Sequence, residues 1–378
     1  MNTNINTISE QSTSVSTPEF HGSDMEKIAA YYKIPEESIV NFAANVNPLG
    51  ISQLVKEHLL ENLDIMSQYP DREYTSLRNT LGLYCDTRPE QIIVGNGSTE
   101  LISLLIANIQ AKKCLLLGPT YSEYERELNL VGCELEEYRL SASDDFSFHL
   151  DDFCHKLNDS FDFVILCNPN NPTGTALNTD ELSKLFDYCR QKNIFVMIDE
   201  TYIEFSSNLA QYSAISLIDS FSNIMVLRGI SKFFAAPGLR MGYGITSNIT
   251  LLKYLIKHQN PWSLNSIGAY AAELMFQDES HIMATKALMN NEKKRFYQLF
   301  AHSTDFKCYN SEANFILIKL TKVGITASEF FTFCIQRGLM LRNCDSFFHE
   351  DGEFIRFCIM LPEDNTRLIQ CFEEFSQL

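Results

Sequence analysis

Positive charge is scarce in this sequence of 378 residues. It contains 30 lysines and arginines against 48 aspartates and glutamates, which gives a formal net charge of −18. Such a chain has no basic field with which to neutralise phosphates, so nucleic acid is excluded as a partner and an anionic membrane surface is disfavoured. A small anionic substrate would need a local cluster of arginines.

Closely spaced cysteines and long apolar runs are also missing. The 11 cysteines lie at least ten residues apart and form no Cys-x-x-Cys pair, so we expect neither a zinc ribbon nor any other metal site. Scattered cysteines are typical of reduced core residues, which indicates the cytoplasm. The longest apolar runs, such as Phe161–Cys167, are too short to cross a bilayer, and no membrane partner is predicted.

Short apolar runs alternate with amphipathic stretches from about residue 90 onward. The runs predict strands at Gln91–Val94, Cys114–Leu117, Phe163–Cys167, Ile194–Ile198, Ile224–Leu227 and Met241–Ile245. Most of these runs are apolar throughout, as in strands buried on both faces of a sheet. Helical patterns lie between them, for example at Thr99–Gln110 and Thr179–Lys192. The alternation predicts an α/β fold with a mostly parallel sheet and helices on both of its faces.

A polar cluster follows each of four predicted strands. The clusters are Gly95–Thr99, Asn168–Gly174, Asp199–Tyr202 and Arg228–Lys232. In sheets of this kind, ligands bind at the carboxyl ends of the strands. We therefore expect the four clusters to form a single site.

These clusters resemble, in their order, the cofactor-binding segments of fold-type I enzymes that use pyridoxal 5′-phosphate (PLP), the aspartate aminotransferase fold. Lys232 stands in Ser-Lys-Phe-Phe-Ala-Ala-Pro-Gly-Leu-Arg, eight residues before Arg240. This string is similar to the family segment in which the lysine forms a Schiff base with PLP and the arginine binds the cofactor phosphate. The string Asn-Pro-Asn-Asn-Pro-Thr-Gly at 168–174 is the most specific single motif. The resemblance covers about residues 21–375.

The resemblance implies roles around the cofactor ring. Asp199 would face the pyridinium nitrogen, so that the protonated ring acts as an electron sink. Asn171 and Tyr202 would hydrogen-bond the 3′-oxygen, and Tyr121 would stack on the ring. Lys232, Asp199 and Tyr121 are thus the expected catalytic residues.

The cofactor phosphate would lie at the start of a helix. Gly97, Ser98 and Thr99 follow a predicted strand and open a predicted helix, whose backbone N–H groups suit an anion. Family members usually carry Ser or Thr three positions before the lysine, where this chain has Gly229. Ser231 is therefore the expected substitute for that contact.

Other strings narrow the resemblance to a subgroup, that of histidinol-phosphate aminotransferase and threonine-phosphate decarboxylase. They are the segment 42–50, Phe-Ala-Ala-Asn-Val-Asn-Pro-Leu-Gly, and Tyr69-Pro70-Asp71. In that subgroup the tyrosine reaches the PLP phosphate of the other subunit. The resemblance therefore implies a homodimer in which Tyr69 completes the partner's site.

Three strings favour the decarboxylase over the aminotransferase. Pro261-Trp-Ser-Leu-Asn265 is similar to a decarboxylase segment, and so are His21-Gly22 and Leu341–Phe347, although Ser346 replaces the usual asparagine. The implied reaction converts O-phospho-L-threonine to aminopropanol phosphate, for the nucleotide loop of cobalamin. O-phospho-L-serine, which would give ethanolamine phosphate, stays an alternative, since a pocket discriminates one methyl by only about 1–3 kcal/mol.

Arg342 and Arg356 are the candidate substrate clamp. Guanidinium groups suit phosphate and carboxylate alike. We hypothesise that both hold the substrate phosphate, with Asn45 and His21 nearby. The alternative, in which Arg356 holds the α-carboxylate, stays open, as does the choice of Lys232 or Tyr121 as proton donor after decarboxylation.

Four regions are predicted along the chain. Residues 1–20, rich in Ser, Thr and Asn, are expected to form a disordered tail without a signal peptide. The other three are an arm at 21–50 that joins the small domain, the large PLP-binding domain at 51–275 and a smaller α+β domain at 276–378.

Histidinol-phosphate aminotransferase is the alternative enzyme. A non-catalytic scaffold or regulator with this fold is the alternative of another class, which the presence of Lys232, Asp199 and Arg240 disfavours.

Overall fold

A computed structural model describes residues 24–348 and 352–378. The predicted tail at 1–20 and His21 lie outside these residues. The described helices are α1 (Met25–Tyr32), α2 (Gln53–Glu61), α3 (Thr75–Cys85), α4 (Ser98–Ile109), α5 (Glu123–Leu130), α6 (Leu150–Lys156), α7 (Thr179–Gln191), α8 (Leu209–Tyr212), α9 (Ile249–His258), α10 (Ser266–Met275), α11 (Glu279–Phe300), α12 (Ala327–Ile335), α13 (Asp345–Phe348) and α14 (Pro362–Ser376).

The strands form three sheets in the described part of the chain. They are β1 (Val40–Asn41), β2 (Ile92–Gly95), β3 (Lys113–Gly118), β4 (Glu134–Arg139), β5 (Phe163–Cys167), β6 (Phe195–Asp199), β7 (Ile224–Gly229), β8 (Gly242–Ile245), β9 (Phe306–Cys308), β10 (Phe315–Leu320), β11 (Leu339–Met340), β12 (Arg342–Asn343) and β13 (Phe354–Cys358).

The largest sheet has the strand order β2-β8-β7-β6-β5-β3-β4. β8 runs antiparallel to β2 and to β7, and every other neighbouring pair is parallel. β2 therefore points the same way as the parallel strands. As a consequence, the carboxyl ends of β2, β5, β6 and β7 all lie at one edge of the sheet.

Both faces of this sheet are covered by apolar side chains. Val164 and Leu166 of β5 belong to one hydrophobic cluster, whereas Ile165 and Cys167 belong to a second cluster on the other face. Every residue of β5 is buried. This two-sided burial explains why the strand is apolar at each position.

A smaller antiparallel sheet, in the order β12-β13-β10-β9, is built from the C-terminal part of the chain. The helices α11, α12 and α14 pack around it. The N-terminal segment joins this part, because β1 pairs in parallel with β11, with Val40 opposite Leu339. The segment that follows β1 then runs into the large sheet's carboxyl edge.

The predicted α/β fold with a mostly parallel sheet and a smaller α+β part is confirmed. Phe163–Cys167 matches β5 to the residue, and the other predicted strands differ from the observed ones by one or two residues at their ends. The sequence pattern does not predict β4, an edge strand with the sequence Glu-Leu-Glu-Glu-Tyr-Arg. No helix within residues 24–348 and 352–378 is both long and apolar enough to cross a membrane.

Candidate active site

Lys232 lies just beyond the carboxyl end of β7. Its Nζ donates a 2.8 Å hydrogen bond to the carbonyl oxygen of Ala44. Burial lowers the pKa of Lys232 to about 8, helped by the positive charges of Arg356 and Arg240. A lysine with such a pKa has a much larger neutral fraction near neutrality than an ordinary lysine, and the neutral amine is the form that attacks a carbonyl group.

Asp199 is the last residue of β6 and is almost fully buried. Its Oδ1 accepts hydrogen bonds from the Thr201 amide at 2.9 Å and the Thr201 hydroxyl at 2.5 Å. Its Oδ2 accepts one from the Tyr124 hydroxyl at 2.7 Å. Burial raises the pKa of Asp199, and these hydrogen bonds act in the opposite direction. Tyr121 packs edge-on against Tyr124, with ring centroids 5.5 Å apart.

A glycine-lined cradle lies at the start of α4. Gly97 precedes the helix with a φ of +83°, and a Cβ on it would come within 2.5 Å of Arg240 Nη2. Gly242 of β8 approaches still more closely, since a Cβ there would lie 2.2 Å from the Ser98 backbone nitrogen. The free N–H groups of the first helical turn and the Arg240 guanidinium thus come together, which suits a phosphate group. Thr99 lies in the same turn.

Arg356 connects the small sheet to this edge. Its Nη1 donates to Asn171 Oδ1, and its Nη2 donates to the Ala43 carbonyl oxygen at 3.0 Å. Its guanidinium also lies over the ring of Phe315, 5.1 Å from the centroid. Asn171 follows β5, so Arg356 lies between the two sheets.

Arg342 pairs directly with Arg356 across the antiparallel strands β12 and β13. Both guanidinium groups lie near the ring of Phe347, at 5.6 Å and 6.0 Å from its centroid. Arg342 Nη2 also donates to Ser346 Oγ at 2.9 Å. Like charges directly opposite each other are unfavourable in a sheet, so this pair is suited to an anion that both can share.

The segment Ala43–Asn45 contacts several of these groups at once. Its backbone carbonyls accept from Arg356 and Lys232, as described above, and Asn45 Nδ2 lies 3.4 Å from the Tyr202 hydroxyl. Asn45 is buried and has a φ of +55°. The predicted residues Lys232, Tyr202, Asn45, Asn171 and Arg356 are therefore brought together.

The residues at this edge fit PLP. Asn45 Oδ1 and Arg356 Nε are buried, and neither has a hydrogen-bond partner among the described residues. Buried polar atoms are normally paired, so two such atoms beside Lys232 indicate room for a polar ligand. A carboxylate at Asp199 and a phosphate cradle at Gly97 provide partners for the two ends of that cofactor. Within the described part of the chain, no three His, Cys, Asp or Glu side chains are arranged to hold a metal ion.

Tyr69 lies apart from this group. It is 82% exposed, and its ring packs against Trp262 with centroids 5.0 Å apart. Ser231, one residue before Lys232, is half-buried, and its predicted contact with the cofactor phosphate stays a prediction. His21 lies outside the described residues, so its predicted substrate contact stays a prediction.

Sequence analysis alone does not single out Tyr124, Thr201 or Phe347. Tyr124 follows Tyr121 at a spacing of three residues, and its amide donates a 3.3 Å hydrogen bond to the Tyr121 carbonyl oxygen in the turn that leads into α5. That spacing is the available signal for Tyr124. The contacts of Phe347 with the two arginines depend on the register of β12 and β13, which the sequence pattern does not specify.

Comparisons with known proteins agree with this geometry. The sequence pattern of the family described as aminotransferase class I and II matches residues 37–372. The chain is 31% identical over 349 residues to threonine-phosphate decarboxylase of Salmonella typhimurium, which covers 92% of this chain and 94% of that protein. It is 30% identical over 355 residues to the adenosylcobalamin biosynthesis bifunctional protein CobDQ of Leptospira interrogans, over 93% of this chain and 40% of that longer protein.

Solved structures show the same fold. The crystal structure of the histidinol-phosphate aminotransferase from Clostridium acetobutylicum superposes with a TM-score of 0.83 at 28% identity, over 89% of this chain and 98% of that one. Relatives of both kinds therefore match most of this chain, the decarboxylase in sequence and the aminotransferase in structure. The chain belongs to the aminotransferase class I and II family and is a PLP-dependent enzyme.

Proposed function

We propose that this enzyme decarboxylates an O-phosphorylated amino acid, with O-phospho-L-threonine as substrate and aminopropanol phosphate as product. The observation that carries the proposal is the pairing of Arg342 with Arg356 across one strand pair, beside Asn171 and Lys232. Similarity to the Salmonella decarboxylase and to the CobDQ protein supports the reaction type and a place in forming the cobalamin nucleotide loop.

The two arginines would bind the substrate phosphate together. A phosphate dianion offers enough oxygens for two guanidinium groups and offsets the repulsion between them. Phe347, which both guanidinium groups approach, would keep the pair in position from one side. Asn45 and His21 complete the proposed substrate contacts, and the buried Oδ1 of Asn45 is available for a donor such as an ammonium group.

Cofactor binding would use the residues at the strand ends. Gly97, Ser98, Thr99, Ser231 and Arg240 would hold the phosphate. The ring contacts would come from Asp199 at the ring nitrogen, Asn171 and Tyr202 at the 3′-oxygen, and Tyr121 on one face. Bound PLP supplies an electron sink for the electron pair left on Cα when a bond to Cα breaks.

The protein would select the bond that breaks through orientation. Only the Cα substituent held perpendicular to the conjugated system is activated, so residues that fix the substrate decide between loss of CO₂ and loss of a proton. Arginines that anchor the phosphate would hold the Cα–carboxylate bond in that position. Aminotransferase chemistry would result if the Cα–H bond took its place.

Lys232 is the proposed proton donor to Cα after CO₂ leaves. Its pKa of about 8 allows it to carry a proton and release it near neutrality. Burial raises the pKa of Tyr121 to about 12, which makes that hydroxyl a weak acid by comparison. Lys232 Nζ is therefore the better candidate of the two.

The test is a product assay on PLP-loaded enzyme with O-phospho-L-threonine and with O-phospho-L-serine, in the absence of any keto acid. We expect CO₂ and an amino-alcohol phosphate, and the ratio of kcat/KM for the two substrates measures the preference for the methyl group. Lys232→Ala is the control, and it should abolish both product formation and the part of the visible absorption that comes from the bond between Lys232 and the cofactor.

The alternative of histidinol-phosphate aminotransferase is supported by the shared fold and by 28% identity to the Clostridium enzyme. The same preparation is assayed with histidinol phosphate and 2-oxoglutarate. Transamination there, with no CO₂ from either phosphorylated amino acid, would overturn the decarboxylase proposal. CO₂ release with no transamination would support it.

A further inference from the structure

Tyr124 is a buried residue with no assigned role in the proposed reaction. It lies in the first turn of α5, its side chain is fully buried, and its hydroxyl is 2.7 Å from Asp199 Oδ2. Tyr121 packs edge-on against its ring. Tyr124 therefore stands directly behind the carboxylate that the proposed function assigns to the PLP ring nitrogen.

The surroundings of Asp199 fix the direction of this hydrogen bond. Burial and the neighbouring Asp199 charge raise the pKa of Tyr124 far above its ordinary value, so the hydroxyl keeps its proton and donates. Cys167, opposite Asp199 in the strand pair β5–β6, also stays neutral, because burial raises its pKa to about 12. Tyr202, a third titratable neighbour, is likewise kept protonated by burial, which raises its pKa.

Asp199 depends on neutral donors for the stabilisation of its charge. Among the described residues, the groups that hydrogen-bond its carboxylate are Tyr124 and Thr201, and neither carries a positive charge. Thr201 bonds Oδ1, so Tyr124 provides the hydrogen bond to the other oxygen. Hydrogen bonds to a buried ion are stronger than neutral ones, and losing one leaves part of the charge unsatisfied.

We propose that Tyr124 is a positioning residue for PLP: its hydroxyl holds the Asp199 carboxylate in one orientation and stabilises its negative charge, and thereby sets how firmly the cofactor's ring nitrogen keeps its proton. This inference rests on the proposed role of Asp199. It does not depend on whether the substrate is decarboxylated or transaminated.

The test uses Tyr124→Phe, which removes the hydroxyl and keeps the ring. In the holoenzyme we expect the pH midpoint of the cofactor's visible absorption change to move upward. The absorption change reports loss of a proton from the Lys232 nitrogen that is joined to the cofactor. If the ring nitrogen holds its own proton less firmly, less positive charge lies near the Lys232 nitrogen, which then loses its proton at higher pH. We also expect the dissociation constant for PLP to rise roughly tenfold, and kcat to fall by more than KM changes.

Tyr188→Phe is the matched control. The Tyr188 hydroxyl donates to the backbone carbonyls of Cys154 and Leu157 in the same part of the fold, away from Asp199. It should lower stability without moving the absorption midpoint. A Tyr124→Phe enzyme that is less stable but has the wild-type midpoint and PLP affinity would overturn the inference and leave Tyr124 a packing residue.

Asp199→Asn separates this inference from the proposed function. If Asp199→Asn moves the midpoint and Tyr124→Phe does not, only the role of Tyr124 fails. If Asp199→Asn itself leaves the midpoint unchanged, then Asp199 does not face the ring, and the proposed site fails with it. When both single changes move the midpoint, the inference expects Tyr124→Phe to add nothing in the Asp199→Asn background.

Discussion

At the scale of single residues, Lys232 and Arg356 are coupled through charge. Burial is the main cause of the lowered Lys232 pKa of about 8, and the Arg356 guanidinium adds to it. PLP loading requires the neutral amine. The rate at which the cofactor-free protein takes up PLP should therefore rise with pH, with a midpoint near pH 8, and level off above it.

Arg356→Leu removes one of the positive charges that disfavour protonated Lys232. We expect the midpoint of PLP uptake to move upward, toward the ordinary lysine value, because the ammonium form is then less destabilised. Stopped-flow absorbance across a pH series measures it. Arg337→Leu, at an exposed arginine paired with Glu374, should leave the midpoint in place. A downward shift for Arg356→Leu would contradict the charge argument.

Arg342 has the more peripheral position in the arginine pair, next to Ser346. If it binds the substrate phosphate, Arg342→Gln should raise KM for O-phospho-L-threonine by about 10–100-fold, the range expected for losing a hydrogen bond to a charged group. Binding of L-threonine, which lacks the phosphate, should change little. Equal losses for both amino acids would instead assign Arg342 to the α-carboxylate. Arg295→Gln, remote from the site, is the control.

At the scale of elements, contact between β8 and the start of α4 shapes the phosphate cradle. A Cβ at Gly242 would lie 2.2 Å from the Ser98 nitrogen and 2.5 Å from the Gly97 carbonyl carbon, both of them backbone atoms. Gly242→Ala must therefore displace the helix start. We expect a loss of about 1–3 kcal/mol in unfolding free energy, as for other overpacked sites, and weaker PLP binding.

Gly238→Ala is the matched control for that substitution. Gly238 lies in the Pro-Gly-Leu-Arg turn at 237–240, just before Gly242, but a Cβ on Gly238 would meet no atom within 4 Å. Chemical denaturation and PLP titration of both variants separate the two effects. Unchanged PLP affinity in Gly242→Ala would show that the helix start does not have to keep this position.

The strands show which parts of the fold can be predicted from the local sequence and which cannot. β5 is predicted to the residue because burial on both faces requires an apolar side chain at every position. β4 escapes prediction because, at the sheet edge, its residues are exposed or half-buried and tolerate charge. The strand-end clusters are predicted because parallel topology gathers them, whereas the Arg342–Arg356 pairing depends on the register of β12 and β13, and the Tyr124–Asp199 bond joins residues 75 positions apart in the sequence.

At the scale of the whole molecule, several apolar side chains between residues 60 and 69 are exposed in the single chain, and we call them the apolar surface. Leu60, Met66 and Tyr69 are more than half exposed, and Trp262 lies beside Tyr69 with the Arg72 guanidinium 5.9 Å from its ring. Clustered exposed apolar side chains mark interaction surfaces. This surface agrees with the prediction, made from the Tyr-Pro-Asp resemblance, of a homodimer in which Tyr69 would reach the PLP phosphate of the partner's site.

Hybrid dimers test this sharing of sites directly. Lys232→Ala and Tyr69→Ala chains carry different affinity tags, are produced together, and their hybrid is isolated. In a shared arrangement, one of its two sites has both an intact Lys232 and an intact Tyr69, so the hybrid should have roughly half of the wild-type activity. Each parent homodimer should be nearly inactive.

A hybrid of wild type with the doubly substituted chain should also be nearly inactive, because neither of its sites then contains both residues. If Tyr69 instead acted within its own subunit, the two hybrids would exchange behaviour: the first would be inactive and the second would keep about half of the activity. The control is a hybrid of a Leu83→Ala chain with a Lys232→Ala chain. Leu83 is as exposed as Tyr69 but lies outside the apolar surface, so this hybrid controls for tagging and for the loss of an exposed apolar side chain.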